Sequence, residues 1–517
     1  MTISRRDFLK ASSLFATFAA LSACTPQSSA TETAAPSITG HSLGTGSIGV
    51  VPTSVASPTA AASTEDALTV LTLNRISFGP TPEMYDRVAQ IGLAAFIDEQ
   101  LQPETISDTA TDQVLSRFTT LGMTPAQLFQ LPKQQYGQPA LELTAATIFR
   151  QWHSQRQLNE VMVDFWTNHF NIYIGKGFDH FLKTDDDQKV IRPNAFAKFG
   201  DILNASAHSP AMLFYLDNAE SRKEAPNENY ARELMELHTI SVTGGYTQQD
   251  VHELARVFTG WSIVGPNNPI RPAGTYQFVR PFHDVGSKQV LNLTIPAGGG
   301  EDEGMKVLDM LAHHPMTAQF LSAKLARRFV SDNPDPALVS SLASVFTQSD
   351  GDTRGLLQAI FHSDAFKNSA GQKLKRPLEF MASALRMTNA VLTGQSQQLV
   401  QHVRLLGQIP FTWQFPNGFP DTGAYWATTS GLLERWNFAM LLTSGRIAGT
   451  QVDIKGLAKD AQTPQDVVDV LSQRFLGGKL PDNARSILLN FASSGDLGKQ
   501  IVNVAGLILG SPHFQVR

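Results

Sequence analysis

From Asp66 onward, apolar residues recur every three to four positions, the period of a helix with one buried face. Ala67, Leu68, Leu71, Leu73 and Ile76 open the stripe. It continues through residues 93–101, 142–170, 230–240, 250–261, 317–330 and 338–349, each predicted to be helical. Alternation of period two is rare. TYQFV, 275–279, is the best strand candidate and predicts a short hairpin near the HDVGSKQVL stretch. The predicted fold class is therefore all-α: a large multi-helix globular domain with long loops at 175–230 and 262–300 and at most a short β-hairpin. AIFHSDAF (359–366) and LILGSPHF (507–514) both place Ser, a short spacer and Phe after an apolar helix end, which predicts a repeated capping device.

The first 65 residues have a different pattern. Arg5-Arg6 with Phe8-Leu9-Lys10, then 13 uncharged and mostly apolar residues, predict a twin-arginine export signal over 1–23. That run is too short to span a bilayer core of about 30 Å. Leu21-Ser22-Ala23-Cys24 has the form of a lipoprotein cleavage box, making Cys24 the expected lipidation site. Residues 25–65 are rich in Ala, Ser, Thr, Pro and Gly and nearly free of charge, as in a flexible tether. The expected organisation is a signal over 1–23, a lipidated Cys24 with tether over 24–65, and a helical domain over 66–517 with a sub-boundary near 300. The expected location is the periplasm or cell surface, membrane-anchored through the lipid.

Composition narrows the functions. Cys24 is the only cysteine, so no intramolecular disulfide forms and cysteine nucleophiles are excluded from the domain. A net charge of -5 with 17% charged residues carries no basic excess for nucleic acid.

Polar residues gather most densely in PNENYARELMELHT (226–239) and GGYTQQDVHELARVFTGW (244–261). Pro226-Asn227 reads as a helix start. On a regular helix Asn229, Glu233 and Glu236 share one face, with Arg232 beside it. Two carboxylates so placed can hold a divalent metal or form an acid/base pair, or else form a solvated face with an Arg232–Glu236 pair. The next helix carries Asp250, His252, Glu253 and Arg256 opposite a core stripe, with Thr247 and Asp250 spaced as a capping box. In DFWTNHFNIY (164–173), Asp164 and Asn168 share one face, while His169 lies among aromatics as either a core histidine or a ligand or base. FHDVGSKQVL (282–291) puts His283, Asp284 and Lys288 in a glycine-containing loop, and YLDNAESRK adds Asp217 and Asn218. No GxSxG, HExxH, P-loop, CxxCH, CxxC or strand-borne GxGxxG is present. The candidate catalytic residues are Glu233, Glu236, His169, Asp164 and His283. The candidate binding residues are Asn229, Asp250, Arg256 and Lys288. The cofactor is unknown, with a divalent metal compatible with the carboxylates.

LNRISFGPTPE, DFWTNHF, SPAMLFYLDN, residues 227–261, FHDVGSKQVL, HHPMTAQFLSAKLARRFV, GQIPFTWQFPNGFPDTGAYW and LLERWNFA together resemble the bacterial family "domain of unknown function 1800" over roughly 68–517. The resemblance implies an exported protein that accompanies a second exported family related to sulfatases and phosphatases. It also implies a role in handling envelope or extracellular glycan. One departure is Phe419, where the family pattern has Trp. Two functions are expected on these grounds. One is a hydrolase or lyase on envelope or extracellular glycan. The other is a non-catalytic scaffold docking a co-exported sulfatase- or phosphatase-like partner.

Overall fold

The computed structural model describes residues 64–393 and 397–517; the predicted signal, Cys24 and almost all of the tether lie outside these residues. The described chain is all-α, with three two-stranded antiparallel ribbons. Eight helices position the cores and the polar groups: α1 (Gln138–His153), α2 (Gln157–His169), α3 (Glu228–Glu233), α4 (Gln248–Val257), α5 (Pro315–Phe329), α6 (Pro377–Met387), α7 (Thr429–Thr443) and α8 (Leu497–Gly510). Among the described residues no helix is long and apolar enough to cross a membrane.

Side chains pack into two apolar cores. One runs from Leu71 to Phe366 with Ala382 and contains Trp166, Phe170, Leu254 and Trp261. The other joins α1 to residues 378–514, around Phe380, Phe438, Leu471 and Phe514. Residues around 300 belong to the first core, and from Leu378 onward the buried apolar residues, Ala382 apart, belong to the second. Each core is closed by the same local device. Ser363 and Ser511 cap four-residue helices, accepting from the amides of Phe366 and Phe514, whose rings are buried. This is the device read from AIFHSDAF and LILGSPHF.

Several expectations change in detail. The long helix predicted over 142–170 is two, because Ser154 and Gln155 turn aside to donate to the Asp108 carboxylate. The loop predicted over 175–230 holds helices Asp179–Asp186, Phe199–Ala207 and Pro210–Tyr215, each too short to display a clear period. The predicted strand is Tyr276–Phe278, but it pairs with Trp261–Ile263, while Lys288–Val290 within HDVGSKQVL pairs with Leu293–Ile295. A third ribbon joins Val391–Leu392 to Thr450–Gln451.

The helix predicted across 226–239 begins as expected, with Asn227 Oδ1 accepting from the Asn229 amide. After Glu233 it widens into a π turn, Leu234–His238. The wide turn takes in an additional residue and shifts the faces beyond it, a device that recurs at functional sites. Here it buries the His238 ring. Residues near 517 return to the middle of the chain: Val516 bridges to Leu374, and Arg517 reaches Glu379.

Candidate functional site

The residues singled out from sequence fall into four separate polar groups. Asp164 on α2 pairs with Arg376 at the start of α6 and lies 3.9 Å from Arg328 on α5. Beneath it Glu379 accepts from Arg328 and Arg376 (3.0 Å) and forms an ion pair with Arg517 (3.1 Å). Burial alone would raise the Glu379 pKa, but the three guanidiniums outweigh it and hold the carboxyl well below its ordinary range. Asp164 belongs to this interior ionic network.

His283 and Lys288 form the second group, and both side chains are wholly shielded from water. Lys288 Nζ lies 2.7 Å and His283 Nε2 3.3 Å from the same Glu303 oxygen, while His283 Nδ1 donates to the Thr259 carbonyl. The predicted loop is thus a knot tying the Lys288–Val290 ribbon to helix Glu301–Ala312. Arg256 adds ion pairs to Asp284 (2.8 Å) and Glu253 (2.6 Å). Asp250 closes the predicted capping box with Thr247 and also accepts from the Leu291 amide, 2.7 Å away. These contacts are those of a scaffold.

The third group lies on α3 and its π turn. Glu236 accepts from the Tyr246 hydroxyl at 2.6 Å and faces Arg232 at 3.7 Å. Glu233 is half-buried; desolvation and the neighbouring Glu236 charge raise its carboxyl, against the pull of Arg232. Asn229 sits in the first turn, its amide held by the cap. Among the described residues no group of three or more His, Cys, Asp or Glu is placed to hold a metal ion. Asp217 and Asn218 are also accounted for: Lys176 pairs with Asp217 at 2.6 Å, and the Asn218 amide donates to the Phe258 and Trp261 carbonyls.

The fourth group has a different character. At the end of α2, His169 Nε2 donates to the His238 carbonyl at 3.1 Å, which fixes the tautomer and leaves Nδ1 as an acceptor. Lys324 Nζ, from α5, lies 2.8 Å from that Nδ1. No carboxylate oxygen approaches Nζ within 4.0 Å among the described residues. Burial and then Arg327 pull the Lys324 amine down to about 8. Burial and the Lys324 charge hold His238 down to about 3, and burial, Lys324 and His238 keep His169 well below its ordinary value. A lysine amine that gives up its proton more readily than usual is thereby set beside two neutral imidazoles. Its side chain is only partly covered.

Residues 411–426 form the neighbouring wall. Asn171 donates to the Trp413 (3.0 Å) and Phe415 (2.7 Å) carbonyls, the Phe419 amide donates to Asn168 (3.1 Å), and Tyr215 donates to the Gln414 carbonyl (2.8 Å). Gly418 adopts φ +71°, and a Cβ there would stand 2.1 Å from the Asn168 carbonyl oxygen, so the wall fits closely against α2. Trp413 carries Phe419 at 5.1 Å and Phe415 and Tyr425 at 6.0 Å, a shelf of rings with Phe415 63% exposed. Phe419, the departure from the family pattern, still packs between Trp413 and Trp426. A narrow cavity of about 20 Å³ behind it, lined by Asp164, Asn168 and Asn171, has room for about one water.

A family model described as a protein of unknown function, DUF1800, matches residues 71–516. The chain belongs to this family. No curated protein and no solved structure matches it. Of the predicted catalytic residues, this DUF1800 member brings His169 to the Lys324 amine and commits Asp164 and His283 to interior networks. Lys324 and His238 were missed by sequence reasoning. A signal for Lys324 did exist: Thr317, Leu321, Lys324 and Arg328 share the face of α5 that supplies its core residues, and a cation in such a stripe needs a reason.

Proposed function

We propose that this protein is an exported, lipid-anchored envelope enzyme that cleaves an acidic extracellular glycan by β-elimination, with Lys324 as the base. The observation that carries this reading is an amine pulled down to about 8, bonded to a tautomerically fixed histidine and with no carboxylate oxygen within 4.0 Å among the described residues. Hydrolytic glycosidases commonly work with two facing carboxylates, and none bonds Lys324. That favours the lyase over the hydrolase. Neutral Nζ takes the proton on the carbon next to a uronate carboxylate. The C–H electrons form the new C=C bond, the C–O bond to the departing sugar breaks, and the departing oxygen takes a proton from water. His169 is a positioning residue: by accepting one Nζ–H it leaves the amine lone pair directed elsewhere. The ring shelf of Trp413, Phe415 and Tyr425 suits the apolar faces of sugar rings.

The test is incubation of purified protein with uronate-containing polysaccharides, following the short-wavelength ultraviolet absorbance of the conjugated C=C and product mass. Products 18 Da lighter than hydrolytic ones, formed faster as pH rises through about 8 and lost in Lys324→Met, are expected. Products that have gained water, or full activity in Lys324→Met, would overturn the reading.

Exposed Phe415, Tyr425, Leu433 and Trp436 within one stretch favour a second reading, the docking of a co-exported sulfatase- or phosphatase-like partner. Anchoring is tested by Cys24→Ser, which should shift the protein from the membrane to the soluble fraction or block its maturation.

A further inference from the structure

A second cleft, of about 540 Å³, lies among residues 103–115, α1, the start of α2 and residues 192–197, and shares no lining residue with the Lys324 group. Four arginines line it: Arg150, Arg156, Arg192 and Arg354. The carboxylates on its wall are engaged or solvated. Glu160 accepts from Arg192 at 2.9 Å. Asp108 accepts from Ser154, Thr111 and the Gln155 amide. Glu104 meets Arg354 at the surface, and Asp112 is exposed. What remains is a set of donors without acceptors. The Arg150 guanidinium, with 14% of its side chain exposed, makes no hydrogen bond, and Asp187, 3.9 Å from its Nη1, is too distant for one; Arg192 Nη2 also lacks a partner but is closed off from solvent. A mostly buried guanidinium without acceptors is costly, and oxygens of a ligand in the cleft would match its accessible N–H groups.

We propose that this cleft binds a small organic ligand through an oxyanion, a carboxylate or a phosphate, held by Arg150 with Arg156, Arg192 and Arg354 around it. The volume is that of a small-molecule site. Pro103, Leu115 and Phe196 provide an apolar wall for the ligand body, which an inorganic ion would leave uncovered. The site stands independently of the elimination chemistry at Lys324.

Titration calorimetry of the purified full-length protein with glucuronate, glucose 6-phosphate and glucose, at constant ionic strength, tests it. Saturable binding of at least one of the two anionic sugars, without binding of glucose, is expected, and the preferred sugar identifies the oxyanion. Arg150→Met and Arg156→Met should each weaken that binding about ten-fold or more. Arg87→Met, which removes a surface pair with Glu99 outside the cleft, should leave it unchanged. Absence of saturable binding by both anionic sugars, equal binding of glucose, or affinity that survives both cleft variants would overturn the proposal.

Discussion

Replacing Glu379 by Gln tests the interior of the molecule most sharply. Glu379 is 3% exposed; its carboxylate accepts from the Arg328 and Arg376 side chains and the Arg376 amide (2.7 Å) and pairs ionically with Arg517. Gln keeps the shape but removes the charge, leaving three guanidiniums facing one another in a poorly hydrated space. Removing one partner of a buried ionic group costs about 3–5 kcal/mol. With an unfolding entropy of about 2.1 cal/mol/K per residue, a unit the size of residues 64–517 would lose roughly 3–5 °C in Tm. More would be lost if the second core melts alone. The pH dependence gives an independent reading. Because the folded carboxyl is depressed, its contribution is complete above the unfolded value of about 4.3 and disappears as pH falls through the folded value. Calorimetric scans between about pH 7 and 3 should therefore show wild-type stability falling with acid, and the Glu379→Gln curve falling less steeply. A Tm within 1 °C of wild type at pH 7, with an unchanged acid slope, would refute the account of Glu379 as the hub of the arginines.

Lys324 should react with trinitrobenzenesulfonate ahead of surface lysines, its rate rising through about pH 8 as the amine loses its proton, and peptide mapping would show whether surface lysines are labelled first instead. Phe366→Ala and Phe514→Ala should each cost about 3–5 kcal/mol in urea unfolding. The matching Ser363→Ala and Ser511→Ala should cost about 1 kcal/mol, and an unequal pair would break the equivalence of the two caps. Gly418→Ala should loosen residues 411–426 from α2, which hydrogen exchange at the Phe419 amide would report as faster opening.

Local chemistry was the legible part of this chain. The Thr247–Asp250 capping box, the Asn227 cap and the two Ser–Phe closures each depend on residues within four positions, and all are present. The helical class came from periodicity alone. The π turn after Glu233 was not legible, because nothing local to LMELH opposes a regular helix. The predicted catalytic set mixed groups that tertiary packing separates. His169 meets an amine on α5, Asp164 meets α6, and His283 meets Glu303, and none of these partners is within reach in sequence. The rings at 413–426 lie in a family-like block with one departure, and the structure packs that block against Asn168 and Asn171, on either side of His169.

The return of Arg517 to Glu379 also sets the timing of folding. Glu379 leaves the ribosome long before Arg517, and Lys373 long before the backbone that pairs with it. During synthesis the centre of the protein holds incompletely matched charges, and Phe514 has yet to enter the second core. A nascent chain can assemble its first core while the second stays open. Completion of this part of the fold therefore waits until residues 514–517 have been made.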